Sequence, residues 1–254
     1  MNPGTLAIVG IGPGAASMCT PEVEAALASA TDLIGYGPYL DRVPPRPGLQ
    51  RHASDNREEL DRARHALRLA QNGAHVAVVS GGDAGVFAMA SAIFEAIDHG
   101  DPAWRELDLR VLPGISAMFA VAARVGAPLG HDFCAISLSD NLKPWAVIEK
   151  RLAAAAQGGF VIALYNPLSR ARPWQLGKAF EFLRQYLPDS VPVILAKAVT
   201  RPDENILLRT IGTVDPSLAD MRTLVLIGSV ETRVVERPGG RESWVYTPRG
   251  IAAS

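Results

Sequence analysis

The stretch Ser80-Gly81-Gly82-Asp83-Ala84-Gly85 joins an apolar run at residues 75–79 to a helical pattern over residues 86–97. Glycines at a strand–turn–helix corner let backbone approach a ligand closely, and the free N–H groups of a helix start favour negative groups. Asp83 adds a carboxylate that would serve equally as a helix N-cap or as a ligand contact. Two further corners share this build. Residues 5–9 read as a buried strand running into Gly10-Ile11-Gly12-Pro13-Gly14, and residues 108–112 run into Pro113-Gly114-Ile115-Ser116-Ala117. The first is a poor dinucleotide fingerprint, because Ala15 stands three places beyond Gly12 and Pro13 removes a backbone N–H from the turn. Ligands of parallel α/β sheets sit beyond the carboxyl ends of strands, so the three corners are expected to face one crevice.

The elements that must position these corners follow from hydrophobic spacing. Thr20-Pro21-Glu22 combines an N-cap, a proline at the first helical position and an acid near the positive helix end, predicting a helix to about Ala30. Residues 32–35 form a second strand, and proline-rich residues 42–48 a surface loop. Residues 58–70 form an amphipathic helix with Leu60, Ala63, Leu67 and Ala70 on one face, closed by Gly73. A helix at residues 116–125 follows the third corner. Strand and helix alternate throughout this half, which argues for a mostly parallel sheet. The second half has a similar rhythm. Strands are expected at residues 133–137, 160–165, 191–199, 205–210 and 223–228, with helices at 146–156 and from Arg172-Pro173-Trp174 onward. The expected fold is α/β: two α/β domains, 1–118 and 119–254, with a cofactor cleft between them.

Composition bounds the function. The chain has 254 residues, 48% hydrophobic and 20% charged, as expected of an ordinary globular enzyme. A formal net charge of −1 gives no global attraction to nucleic acid or membrane surfaces. Cys19 and Cys134 lack any metal-ligand spacing, so no metal site is expected and a reducing cytoplasm fits. No charged-then-apolar leader opens the chain, and no apolar run approaches a membrane span.

The three corners, in this order and spacing, resemble the tetrapyrrole methylases, which bind S-adenosylmethionine between two α/β domains. Residues 126–134, 136–140, Pro144-Trp145, Leu164-Tyr165-Asn166-Pro167 and Thr247-Pro248-Arg249-Gly250 resemble the branch that methylates a corrin precursor at C17. The likeness runs from about Leu6 to Gly250. It departs from the family pattern at Ala15, where many relatives carry an acid, at Ala84, where proline is usual, and at Phe87, where tyrosine is frequent.

The resemblance implies methylation of precorrin-3B at C17 with ring contraction to precorrin-4 in cobalamin biosynthesis, leaving S-adenosylhomocysteine. It implies cofactor contacts at Gly81, Gly82, Asp83, Ser116, Ala117, Tyr165, Asn166, Ala198 and Gly228. Pro13 and Gly14 would face the substrate. The many carboxylates of that substrate call for cations, for which Arg170, Arg172, Lys197, Arg201 and Arg249 are the candidates. Ring contraction needs proton transfer, for which His131 and Asp132, then Asp140, are the candidates; each reads equally as a hydrogen-bonded loop residue. The family suggests a homodimer. The competing readings are a same-fold methylase on another corrinoid such as cobalt-precorrin-3, a non-methylating tetrapyrrole-binding protein, and a nicotinamide oxidoreductase.

Overall fold

The computed structural model describes residues 4–55, 58–169 and 172–250. The chain divides into two compact units that meet between Ala117 and Met118. In the first, β1 (Thr5–Gly10) lies inside a five-stranded parallel sheet with β2 (Asp32–Tyr36), β3 (Gln50–Ser54), β4 (His75–Ser80) and β5 (Asp108–Leu112), in the order β3-β2-β4-β1-β5. The strands alternate between two buried faces. Leu6 and Ile8 of β1 pack with Val76 and Val78 against α3 (Glu59–Gln71) and α4 (Met89–Asp98). Ala7 and Val9 pack with Leu33 and Val79 on the other face, against Val23 of α1 (Pro21–Ser29) and Leu40 of α2 (Gly37–Leu40). Each fully buried Leu or Ile contributes on the order of 1.5–3 kcal/mol. Parallel strands with helices on both faces leave all carboxyl ends, and so all three glycine corners, at one edge of this sheet.

Local chemistry sets the helix ends largely as expected. Thr20 Oγ1 accepts from the Val23 N–H at 3.3 Å with Pro21 in the first turn. Gly73, at φ 95°, follows α3 in the left-handed conformation that terminates helices. Leu60 differs from its expected place on the apolar face: it is exposed, and the buried face of α3 instead carries Arg62 and Ala66 with Ala63, Leu67 and Ala70. Arg62 is accommodated because its guanidinium donates to Ser54 Oγ at 2.7 Å and to the Asp55 carbonyl at 2.5 Å. Those bonds help hold β3, an edge strand with no apolar alternation to announce it.

The second unit contains a five-stranded sheet ordered β10-β9-β11-β8-β7, formed by β7 (Phe133–Ser137), β8 (Val161–Tyr165), β9 (Pro192–Lys197), β10 (Asn205–Thr210) and β11 (Thr223–Ile227). Only β7 and β8 run parallel; the β10/β9, β9/β11 and β11/β8 pairs are antiparallel. The similar rhythm of strands and helices goes with a different topology, in which β9 and β10 pair directly through the short connection 198–204 rather than a helical crossover. Helices α6 (Trp145–Gln157) and α7 (Gln175–Leu183) bury Ile148, Leu152, Leu176, Phe180 and Leu183 against one face. Three short strands, β6 (Gly126–Ala127), β12 (Arg233–Val235) and β13 (Trp244–Tyr246), make a separate small sheet. Between β5 and β7 runs α5 (Ala117–Val125).

Two measurements check this packing. At Gly114 a Cβ would lie 2.2 Å from the Gly82 carbonyl oxygen and 2.3 Å from that of Gly10. Gly114→Ala should therefore lower stability by about 1–3 kcal/mol, read from urea midpoints; an unchanged midpoint refutes the close packing. The second concerns His65, whose Nε2 lies 3.3 Å from His52 Nδ1, while His52 Nε2 lies 2.8 Å from Asp32 Oδ1. Burial pushes the His65 pKa down, reinforced by His52 and Arg68 and opposed by Asp32. The unfolded chain therefore takes up this proton first, and the contribution of His65 to stability falls as pH drops below about 6.5. Substitution His65→Gln should flatten the pH dependence of the midpoint between pH 7 and 5.

Candidate functional site

The three glycine corners of the first unit touch through their backbones. Gly12 and Gly82 form an isolated antiparallel bridge, with N–H groups donating reciprocally at 3.1 and 2.9 Å, and the Ile11 N–H donates to the Ser80 carbonyl at 3.0 Å. Gly10 and Gly114 close the cluster: a Cβ at Gly10 would meet the Gly82 carbonyl oxygen at 2.6 Å, as one at Gly114 would meet it from the other side. Gly82, at φ 68°, needs the left-handed conformation that glycine adopts without strain. A Cβ built there has its nearest neighbours at 3.8–3.9 Å, namely Ala117 N, Ser116 Cα and the Ile115 oxygen. Backbone of the third corner and the start of α5 thus stands at ordinary contact distance from Gly82.

Asp83 is not a helix cap. The helix begins at Met89, whose N–H donates to Ser80 Oγ at 3.3 Å. The Asp83 carboxylate instead accepts from the Gly85 N–H at 2.8 Å and, across the corners, from the Gly114 N–H at 3.0 Å. Hydrogen bonds to a charged group contribute roughly 1.5–3 kcal/mol each. The first corner has its own clamp, for which the sequence holds no local sign. Arg42, in the proline-rich loop, donates through Nη2 to the carbonyls of Ile11, Gly12 and Gly14 at 2.8, 3.0 and 3.2 Å. Gly14 and the half-buried Pro13 are thus presented on a braced turn.

In the second unit the sheet register sorts the remaining candidates into two groups. Ser137 pairs with Tyr165 and Lys197 with Thr223, so Tyr165, Asn166, Lys197 and Ala198 share one end of the sheet. Asn166 Nδ2 donates to Ser137 Oγ at 2.9 Å, and the Met118 N–H at the start of α5 donates to the Tyr165 hydroxyl at 3.3 Å. Asn166, Ala198 and Thr200 have φ of 51°, 50° and 66°. Left-handed conformations cost a non-glycine residue roughly 1–2 kcal/mol and gather at binding sites.

Gly228 does not join this group. Its N–H donates to the Pro192 carbonyl at 2.8 Å, at the opposite end of β9 and β11 from Ala198, about 20 Å away at 3.3 Å per residue. A side chain there would also strike Thr232 at 2.8 Å, so this glycine serves close packing. His131 and Asp132 lie at that same far end, because the Asp132 carbonyl accepts from Val161 at the start of β8. His131 Nδ1 accepts from the Asp132 N–H at 2.7 Å, the loop arrangement that was the simpler reading. The exposed Arg249 follows Thr247, whose Oγ1 donates to the Pro128 carbonyl at 2.6 Å.

The charged candidates at the Tyr165 end are mostly engaged. Asp140 pairs with Arg172 and accepts from Gln175 Nε2 at 2.8 Å, while Arg172 also donates to Asn141. This knot ties the loop after β7 to the start of α7. Lys197 pairs with Asp220 at 2.8 Å. Arg201 is half-buried in the turn after Ala198. Arg170 lies outside the described residues. Burial pushes the Cys134 thiol up to about 11, so it stays protonated near neutrality and is no nucleophile.

A family model described as Tetrapyrrole (Corrin/Porphyrin) Methylases matches residues 5–215. The chain is 61% identical to a precorrin-3B C(17)-methyltransferase of Sinorhizobium sp, over 99% of this chain and 98% of that protein. It is 39% identical to a probable cobalt-factor III C(17)-methyltransferase of Salmonella typhimurium, over 96% of this chain and 98% of that one. The solved methyltransferase CobJ matches with a TM-score of 0.91 at 52% identity, over 96% of this chain and 100% of that one.

The Arg42 clamp has a direct check. Replacing Arg42 with Met removes three charge-assisted bonds to one turn, so amides of residues 11–18 should exchange with deuterium about tenfold faster or more. Unchanged exchange in that segment would show that the turn holds its shape without the guanidinium.

Proposed function

This chain belongs to the tetrapyrrole methylases, and we propose that it transfers a methyl group from S-adenosylmethionine to C17 of precorrin-3B. The macrocycle contracts in the same reaction toward precorrin-4 in cobalamin biosynthesis. The full-length likeness to the Sinorhizobium enzyme carries this reading, and the braced glycine corners support it.

The residues present fit the cofactor. It carries no phosphate, so the corners have no anion to cradle; they offer close backbone contact instead. Gly82 stands beside Ser116 and Ala117, so the second and third corners can present backbone to one ligand. The Asp83 carboxylate would repel a phosphate but tolerates a sulfonium or an ammonium. It can accept more than the two N–H groups it already holds. Gly81, Gly82, Asp83, Ser116 and Ala117 of the first unit, with Tyr165, Asn166 and Ala198 of the second, are the proposed cofactor contacts. The sulfonium, when bound, supplies an already reactive methyl group. The protein's task is then mainly to hold donor and carbon nucleophile in line, an effect that can reach several kcal/mol.

For the substrate, Pro13 and Gly14 are proposed to face the ring, with Lys197 and Arg201 near its carboxylates. Arg172 and Asp140 act by holding each other and the loop after β7. His131 and Asp132 receive no role in proton transfer, and Gly228 none in cofactor binding, since they stand at the far end of the second sheet. We place the protein in the cytoplasm, which its cysteine usage suits, and as a homodimer, as the resemblance implies.

Calorimetry with S-adenosylhomocysteine should give micromolar or tighter binding, weakened at least about tenfold in Asp83→Ala. Absence of binding by the parent protein sinks the cofactor reading. Mass spectrometry of parallel reactions with precorrin-3B and its cobalt-containing counterpart should show one added methyl and a contracted ring for the first. Turnover of the cobalt form alone would reassign the substrate to that of the Salmonella relative.

A further inference from the structure

The face of the second sheet turned away from α6 and α7 carries a groove that the methylation reading does not use. It encloses about 340 Å³. Ile194, Ile206 and Leu208 supply apolar lining from β9 and β10, with Val245 of β13 beside them. Four arginines, Arg124, Arg209, Arg237 and Arg241, line it against a single acid, Glu242. That is a marked local excess of positive charge in a chain of formal net charge −1.

Most of this charge is unspent. Arg124 pairs with Glu204 at 3.1 Å. Arg209, Arg237 and Arg241 form no ion pair among the described residues; they donate to the carbonyls of Leu208, Glu242 and Pro238 at 2.7, 3.5 and 3.1 Å. The turn Arg237-Pro238-Gly239-Gly240-Arg241 holds both its glycines at positive φ, 75° and 68°, allowing the tight loop that carries both arginines. Arg237 stacks 4.5 Å above the ring of Trp244, which is itself half exposed. An apolar floor, an indole wall and a rim of guanidinium groups match an amphipathic polyanion. Planar guanidinium forks bind carboxylates bidentately, and an exposed indole presents a platform for a flat apolar body.

We propose that this groove is a second binding site, for a flat polycarboxylate of the chemical class to which corrin precursors belong. The groove takes one carboxylate-bearing edge of such a ring, since its volume is at the small end for a ligand pocket. None of its lining residues is among the proposed cofactor or substrate contacts. The modest volume and the stacked indole favour a flat small molecule over an extended acidic peptide.

The test titrates coproporphyrin, a fluorescent tetracarboxylate macrocycle, into the full chain saturated with S-adenosylhomocysteine. Hydrogen exchange then locates the contact. The expected result is protection of residues 237–245, lost at high salt. In Arg237→Ala/Arg241→Ala that protection disappears and the affinity of this site falls at least about tenfold, while methyl-transfer kcat is kept. The single variant Trp244→Ala should weaken the same site with unchanged kcat. Absence of protection there, or protection that persists in the double variant, overturns the proposal. So does a change of molecular mass in the double variant by light scattering, which would make the groove a contact between copies of this chain. Methyl transfer is read separately, so loss of the groove and loss of the proposed reaction are told apart.

Discussion

The first unit depends on a single carboxylate reaching across an intervening strand. Asp83 follows β4, yet one of its oxygens accepts from Gly114 beyond β5, while β1 and its own glycine turn lie between them in the sheet. The corners can approach this closely only because Gly10 and Gly114 have no side chains to collide with neighbouring carbonyls, while Gly82 supplies the left-handed turn. Backbone bonds between Gly12 and Gly82 then lock the first corner to the second. Three loops become one braced backbone surface. A binding site built this way loses little conformational freedom when its ligand arrives, which is the physical advantage of preorganisation.

The second unit solves the same problem differently. Its candidate contacts are held by non-glycine residues in left-handed conformations at the ends of β8 and β9. Such strain persists only where surrounding bonds over-determine the backbone. Asn166 is held by its side-chain bond to Ser137, and Ala198 by the backbone bond from its N–H to Arg222. The Asp140–Arg172–Gln175 knot braces the neighbouring loop after β7. Charged residues that look available in a list of side chains thus turn out to be structural, because a buried or half-buried charge is tolerated when it is paired and hydrogen-bonded.

The reach of the sequence can be judged from particular elements. Strands β1, β4, β8 and β11 were legible because burial on both faces writes a continuous apolar run. Helix α1 was legible because its cap and first-turn proline are local. Strand β3 was not: Gln50–Ser54 is a polar edge strand, held by its pairing with β2 and by the buried Arg62, eight residues beyond Ser54. For Asp83 the sequence leaves cap and ligand contact open, because a carboxylate before a helix usually bonds within its own turn. Here its second partner is 31 residues away.

By itself, then, the sequence determined two α/β units, the three glycine corners and the family they resemble, since each rests on residue types within a few positions of one another. Only the tertiary structure decided which candidates meet. It joined Asp83 to Gly114, set Arg42 over the first corner, and put Tyr165, Asn166 and Ala198 at one end of a sheet. It left Gly228, His131 and Asp132 at the other. The reason is strand register: a residue's place along a sheet is fixed by the partner strand it pairs with, and that pairing joins segments tens of residues apart.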